Sequence, residues 1–238
     1  DGVTCKDIMD APGGASKCLD DLPETLKNKT YRPDRVKRIY IDKPDGGKRP
    51  LGIPTMRDRI AQTAAALILE SIFEADFMDT SYAYRPGREA KSAIQTIEGH
   101  LRSGYREVYD ADLKGYFDSI PHNKLILAIE KRIADRAVLQ LIQMWLRCEL
   151  EETDSDGKKH VTRSDKGTPQ GGVISALLSN VYLHWFEIAF HKESGPAHFA
   201  KAKIVRYADD FVVLARYQGR ELRAWLQRML EDRFELTI

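Results

Sequence analysis

Ile204-Val205-Arg206-Tyr207-Ala208-Asp209-Asp210-Phe211-Val212-Val213-Leu214 decides how this chain is read. Two apolar runs flank a short polar break, the pattern of strand, tight turn, strand. Two adjacent carboxylates at a hairpin tip repel one another unless a cation meets them. Mg²⁺ suits such a place, because it takes one or two protein carboxylates and fills its other positions with water and substrate phosphate. Asp is also common in plain solvated turns, so Tyr207-Ala208-Asp209-Asp210 alone supports either reading equally.

Matching acids lie upstream in Glu107-Val108-Tyr109-Asp110-Ala111-Asp112-Leu113-Lys114-Gly115-Tyr116-Phe117-Asp118. Alternate residues of a strand share a face, so Val108, Asp110 and Asp112 point one way and Tyr109, Ala111 and Leu113 the other. A strand with two acids on one face is poor core design, but it suits a face that meets metal. Only a sheet that pairs this strand with the hairpin can bring Asp112 to Asp209. Two-metal nucleotidyl transfer needs such a cluster: one ion activates the attacking oxygen and the other steadies the leaving oxygen. A third segment, Gly167-Thr168-Pro169-Gln170-Gly171-Gly172-Val173-Ile174-Ser175, precedes a predicted helix over 176–190. Paired glycines let a backbone approach a ligand closely, although alone they fit a structural turn better. No Gly-Lys-Ser/Thr follows, so this is not a P-loop.

In order along the chain, these segments resemble the palm motifs of reverse transcriptases. Three further stretches narrow the resemblance: Lys48-Arg49-Pro50-Leu51-Gly52-Ile53-Pro54, Ser81-Tyr82-Ala83-Tyr84-Arg85-Pro86-Gly87-Arg88 and Thr168-Pro169-Gln170-Gly171-Gly172. With the early Asp1-Gly2-Val3-Thr4, they look like the reverse transcriptase, or maturase, encoded by bacterial group II introns, over nearly the whole chain. Ser175-Ala176-Leu177-Leu178-Ser179-Asn180 departs from that pattern, which has Pro after the Ser and Ala before the Asn; altered helix entry is expected there, not lost chemistry. The resemblance implies an α+β fold, with an antiparallel palm sheet backed by helices. Residues 1–105 would form fingers and 106–238 the palm, interleaved. The chain ends at Glu235-Leu236-Thr237-Ile238, similar to the start of the next palm block, so a trimmed fragment without its thumb is expected.

Site roles follow from the same resemblance. Asp112, Asp209 and Asp210 would be the catalytic acids. Asp112, Asp209 and the backbone of Leu113 would contact two Mg²⁺ ions, with Mn²⁺ as an alternative; Asp110 is a same-face alternative. Lys43 and Arg49 would meet the triphosphate of the incoming dNTP. The backbone of Lys114, Gly115 and Tyr116 would border it, and Gln170 would lie beside it. Phe117 would face the sugar 2′ position; without the resemblance it reads as a core aromatic.

The overall charge of +1 hides an asymmetry. Residues 27–59 hold eleven Lys and Arg against four Asp, a net of +7, which leaves −6 for the rest. A basic run with Tyr31 and Tyr40 among it is the footprint of phosphate-backbone binding, so Lys27, Lys29, Arg32, Arg35, Lys37 and Arg38 are candidate RNA contacts. Taken without the motifs, the run is a solvated face. The expected partners are the group II intron RNA, an RNA template, a DNA primer and dNTPs, with a homodimer formed through exposed apolar surface as a further expectation. Two other functions stay open: a non-catalytic RNA-binding splicing cofactor, and a retron or diversity-generating reverse transcriptase. A two-metal nuclease has no need of the triphosphate-binding Lys and Arg.

At 238 residues, 42% hydrophobic and 31% charged, the composition is that of an ordinary globular chain. No apolar run approaches the ~20 residues of a membrane span and no signal peptide opens the sequence, so a bacterial cytoplasmic protein is expected. Cys5, Cys18 and Cys148 lack metal-ligand spacing and are expected as free thiols. The periodicity predicts a largely irregular segment 1–35 with one helix over 19–28, and a hairpin over 35–54 turning at Pro44-Asp45-Gly46-Gly47. It predicts helices over 57–79, with Ile60, Ala64, Leu67 and Ile68 as the buried stripe, and over 88–103. A helical stretch over 121–150 breaks near Ala134-Asp135, a turn falls at Asp156-Gly157, and the last helix covers 219–232.

Overall fold

A computed structural model describes residues 4–11, 13–42, 46–154, 156–217 and 219–238. Thr4 opens α1 (Cys5–Asp10) with a capping box, accepting from the Asp7 backbone N–H while the Asp7 carboxylate accepts from Thr4 N. α2 (Gly14–Lys27) follows, so the N-terminal region holds two helices instead of the single short one expected. Gly13, left-handed, is the N-cap of α2.

β1 (Val36–Asp42) and β2 (Lys48–Ile53) pair antiparallel, with Ile41 opposite Arg49. Lys43 and the first half of their expected turn lie outside the described residues. α3 (Met56–Glu74), α4 (Ala90–Arg102) and β3 (Glu107–Ala111) come next. After a single helical turn, α5 (Tyr116–Ser119), come α6 (His122–Glu130) and α7 (Arg136–Leu146). The expected break between those two helices is there, and the Asp135 carboxylate accepts from Ala137 N and Val138 N to cap α7. β4 (Leu150–Thr153) and β5 (Lys159–Thr162) form the hairpin expected around Asp156-Gly157. α8 (Ser175–His191), α9 (Pro196–Phe199), β6 (Lys203–Tyr207), β7 (Asp210–Ala215) and α10 (Arg220–Gln227) complete the chain, α10 continuing as a π-helical turn over Arg228–Arg233.

The strands make two sheets. One is antiparallel, in the order β3-β7-β6. The other has the order β2-β1-β4-β5, with β1 and β4 parallel, so strands from both halves of the chain share it. α8 lies beneath the antiparallel sheet and is apolar nearly all round, the mark of a buried helix. Leu178, Val181, Tyr182, Leu183, Phe186 and Phe190 are all buried, and the Phe186 ring lies 5.3 Å from Phe211 on β7.

α3 corrects its predicted stripe. Leu67 and Ile68 are 67% and 65% exposed, while Ala61, Leu69 and Phe73 are buried together with Asp58 and Gln62. The helix has apolar residues on more than one face, so periodicity could not choose between them. What chooses is Asp58, whose carboxylate accepts from the Tyr31 and Thr55 hydroxyls and from Asp34 N. The exposed face joins α7 in an apolar groove of about 500 Å³ that includes Ile68, Leu141 and Met144. Cys148 is a free thiol, pushed up to about 11 by burial, and is therefore a poor nucleophile. The Cys5 and Cys18 side chains lie outside the description.

The glycine loop is bound to the protein itself. Gly167 N donates to Ile120 O and Thr168 N to Phe117 O, at 2.8 and 2.7 Å. Gly167 has φ +86°, and a Cβ there would stand 2.8 Å from the Asp118 backbone. Gly167→Ala is therefore expected to lose more than about 1 kcal/mol of stability, from left-handed strain and a clash that cannot relax. A thermal melt equal to that of the parent would contradict this packing.

Candidate active site

β3 carries its acids as its alternation predicts: Tyr109 and Ala111 turn inward, while Val108 and Asp110 are exposed. The β3–β7 register sets Asp110 opposite Val212 and Ala111 opposite Phe211, so Asp112 continues the ladder beside Asp210. On the other side of β7, Tyr207 pairs with Asp210, leaving Ala208 and Asp209 as a two-residue turn. Such a turn needs positive φ, normally supplied by Gly or Asn; here Ala208 takes φ +58°. The sheet thus brings Asp110, Asp112, Asp209 and Asp210 to one end.

Their fields overlap. Burial first, then the Asp112 carboxylate, raises Asp209, against the lowering by its own backbone amide, Arg49 and Arg206. Asp210 is raised by burial and then by Asp209, Asp112 and Asp110. None of the four forms an ion pair among the described residues. Nor, among those residues, is any group of three or more His, Cys, Asp or Glu side chains closed into a metal cage. Mg²⁺ needs no such cage, since one or two carboxylates suffice when water and phosphate oxygens complete the shell. Uncompensated hard oxygens at one place fit that ion.

The other expected site residues divide. Arg49 is exposed on β2, carries no ion pair among the described residues, and acts electrostatically on Asp209. Lys114 is exposed, but its backbone N–H is already donated to Thr237 O at 2.8 Å, which leaves its side chain for a ligand. Gly115 is exposed with φ +58° and starts α5. The Tyr116 ring is buried and its hydroxyl donates to Ser179 O, so this side chain belongs to the core. Phe117 is half-buried on the helical turn α5, edge-on to Tyr116 at 5.6 Å. The Gln170 carbonyl accepts from Gly52 N at 2.6 Å, which ties its loop to β2. A Cβ on Gly171 would meet Gly52 O at 2.9 Å, so the close approach made here is to the chain's own backbone.

Sequence reasoning gave Tyr84 no role. It is 52% exposed with φ +56°, and its hydroxyl is raised by partial burial and then by Asp209, Tyr207 and Asp210, against Arg49. It therefore stands in the same field as the acids. Its neighbour Arg85 is buried, bonded to Glu74 and to the carbonyls of Met78 and Ser81, and fixes that loop. Two non-glycine residues at positive φ, Tyr84 and Ala208, thus lie near the acids, and only the structure reveals that.

The basic segment is also sorted. Lys27, Lys29 and Lys37 are exposed with no acidic partner among the described residues. Arg32 is pinned to the Lys29 and Tyr31 carbonyls. Arg35 pairs with Glu149 and Glu151, and Arg38 with Asp118. Tyr31 of that run is not on the surface: it is buried, donates to Asp58 and accepts from Trp145.

A raised carboxylate stabilises the fold fully below its unfolded value and loses that contribution as pH rises through its folded value. At neutral pH the ionised Asp209 and Asp210 therefore oppose folding. Asp209→Asn should raise the melting temperature of the metal-free chain at pH 7, with the gain fading as pH falls through the raised folded value and gone below 3.8. Mg²⁺ should raise the melting temperature of the parent and much less that of the variant. Equal shifts with Mg²⁺ would place the ion elsewhere.

The sequence profile described as "Reverse transcriptase (RNA-dependent DNA polymerase)" matches residues 41–235. The group II intron-encoded protein LtrA of Lactococcus lactis subsp. cremoris is 41% identical over 186 residues, 77% of this chain and 30% of that protein. Protein YkfC of Escherichia coli is 34% identical, over 92% of this chain and 65% of its own length. The chain thus spans about a third to two thirds of these relatives. Apo telomerase from Candida tropicalis superposes on 92% of the chain and 48% of its own, with a TM-score of 0.64 at 10% identity, which speaks for the fold alone. No helix among the described residues is long and apolar enough to cross a membrane. With its α+β fold, its acid-bearing sheet and a profile match over most of its length, the chain belongs to the reverse transcriptase family and is of group II intron type.

Proposed function

We infer that this chain carries the nucleotide-adding centre of a group II intron-encoded RNA-directed DNA polymerase. The observation that carries the reading is the meeting of Asp112 with Asp209 and Asp210 at one end of β3 and β7, with no protein cation paired to them among the described residues. Asp112, Asp209 and the Leu113 carbonyl would hold two Mg²⁺ ions, with Asp210 supporting. Bound there, divalent ions supply activation of the attacking oxygen and charge relief at the leaving oxygen. Arg49 is near enough to act electrostatically on Asp209, and its guanidinium would hold the triphosphate through paired hydrogen bonds. The Lys114 side chain and the exposed Gly115 backbone would border the same triphosphate, as would Gln170, whose carbonyl is tied to Gly52 on the strand of Arg49. Lys43 keeps its proposed triphosphate role but lies outside the described residues. Template and intron RNA would run over Lys27, Lys29 and Lys37, whose charges are free to meet phosphates.

Primer extension on an RNA template tests the centre. Asp209→Asn should abolish dNTP addition, because an amide cannot replace a metal-binding carboxylate, while RNA affinity holds or rises slightly. Loss of both together would make the acids structural. Retained RNA binding without extension in the parent would favour a splicing cofactor.

Charge reversal at Lys29 and Lys37 should flatten the salt dependence of RNA binding, each lost phosphate contact lowering the log–log slope by roughly 0.7–0.9. Reversal at Arg35, already engaged by Glu149 and Glu151, should change it less. Identical slopes would leave this segment a solvated face.

Phe117 is a rigid ring braced by Tyr116. Against C2′, such a ring rejects a 2′-hydroxyl by overlap, beyond the ~1–3 kcal/mol that lost fit alone provides. Phe117→Val should raise rNTP incorporation by one to two orders of magnitude, about 1.4–2.8 kcal/mol, with a smaller loss for the matched dNTP. The measurement is kcat/KM for the pair, and an equal fall for both substrates would return Phe117 to the core.

A further inference from the structure

Arg206 lies between two apolar residues of β6 and is completely buried. Its partner is Glu187, equally buried, on the apolar helix α8. All five N–H groups of this guanidinium are used. Nε and Nη2 donate to Glu187 Oε2 at 3.0 and 2.8 Å, and Nη2 also to Ser81 Oγ at 2.6 Å. Nη1 donates to Asn180 Oδ1 at 2.8 Å and to the Ala208 carbonyl at 2.9 Å. The other Glu187 oxygen accepts from the Thr80 hydroxyl, and Asn180 Nδ2 donates to Ala83 O at 2.8 Å. The Arg206 backbone grips the same loop: its N–H donates to Thr80 O and its carbonyl accepts from Tyr82 N.

These bonds converge on two strained points. Ala208, inside the acidic turn, holds φ +58°; Tyr84, next to Ala83, holds φ +56°. A non-glycine residue keeps such a conformation only where its surroundings over-determine it. Here one side chain does so for both, directly through the Ala208 carbonyl and through Asn180 to Ala83.

We propose that Arg206 is a positioning residue whose guanidinium, locked by Glu187 and Asn180, holds the acidic turn and the Tyr82–Tyr84 segment as one unit. It thereby fixes where Asp209 presents its carboxylate and where Tyr84 presents its ring to substrate. The catalytic consequence rests on the polymerase reading; the clamp itself does not.

Hydrogen exchange on the whole chain, without metal or nucleic acid, tests the clamp. Arg206→Lys keeps the charge beside Glu187, but a single ammonium cannot reach Glu187, Asn180 and Ala208 together. Exchange should quicken about tenfold or more in segments 207–211 and 82–85 together, with α7 unchanged. If Arg206→Lys does not fold, Asn180→Ala, which leaves the ion pair whole, carries the test, with about threefold faster exchange in both segments. In primer extension, kcat of the folded variant should fall about tenfold or more with KM for primer–template nearly unaltered, as misplacement of a reacting group predicts. Unchanged exchange, acceleration of only one segment, equal acceleration throughout the protein, or an undiminished kcat would overturn the proposal. A parent chain that extends no primer would sink the polymerase reading and leave the exchange result to judge the clamp alone.

Discussion

Four carboxylates held at one end of two paired strands set the requirement that the rest of this fold meets. Two unit charges at about 4 Å repel by about 4 kcal/mol in the effective dielectric near a protein surface. The sheet that carries them must be anchored more strongly than that. β7 provides the anchor with Phe211, Val213 and Leu214, all buried, each contributing about 1.5–3 kcal/mol. α8 then covers the underside with Phe186 against Phe211. An apolar helix beneath a charged turn is therefore the means by which the chain keeps its acids together in the absence of a cation.

The buried Arg206–Glu187 pair answers a different need. Removing two charges from water costs more than their attraction returns unless the geometry is very good, and apolar replacements are often as stable. Full satisfaction of the guanidinium limits that cost here, and the polar network specifies a single arrangement of turn, loop and helix. Apolar side chains could fill the same volume, but none could hold the Ala208 carbonyl and the Asn180 side chain together.

The hairpin, the two faces of β3, the α6–α7 break and the 156–157 turn were legible because each depends on local periodicity or turn chemistry. Tyr31 and the face of α3 were not, because both depend on Asp58, and the partners of a buried acid come from distant segments. The glycine loop was half legible: its special backbone was evident, but the surface it approaches is Gly52 and Asp118. Arg206 left a signal that was not used. One Arg inside an apolar strand and one Glu inside the apolar run Val181–Phe190 are each costly alone, and such residues are rarely buried unless paired. Tyr84 left none, since a positive φ at tyrosine cannot be read from composition.

What relates Arg49 to the acids is a glycine contact. Arg49 stands three residues before Gly52 on β2, while Asp209 belongs to the other sheet. The two sheets share no strand, so the position of Arg49 relative to the acids depends on what β2 leans against. It leans on the 167–172 loop: Gly52 N donates to Gln170 O, and a Cβ on Gly52 would stand 2.9 Å from both Pro169 Cβ and Val36 Cγ1. The same loop is bonded to Phe117 O and Ile120 O, directly after the strand that leads to Asp112. The path from Arg49 to the acids is thus a short series of backbone hydrogen bonds and close contacts at Gly52 and Gly171. A methyl group inserted at Gly52 would have to displace β2 or the loop by some tenths of an ångström. Misplacement of reacting groups by about 1 Å costs on the order of a hundredfold in rate. The glycines at Gly52 and Gly171 therefore matter to the chemistry through the distance they permit between two sheets, with no ligand contact of their own required.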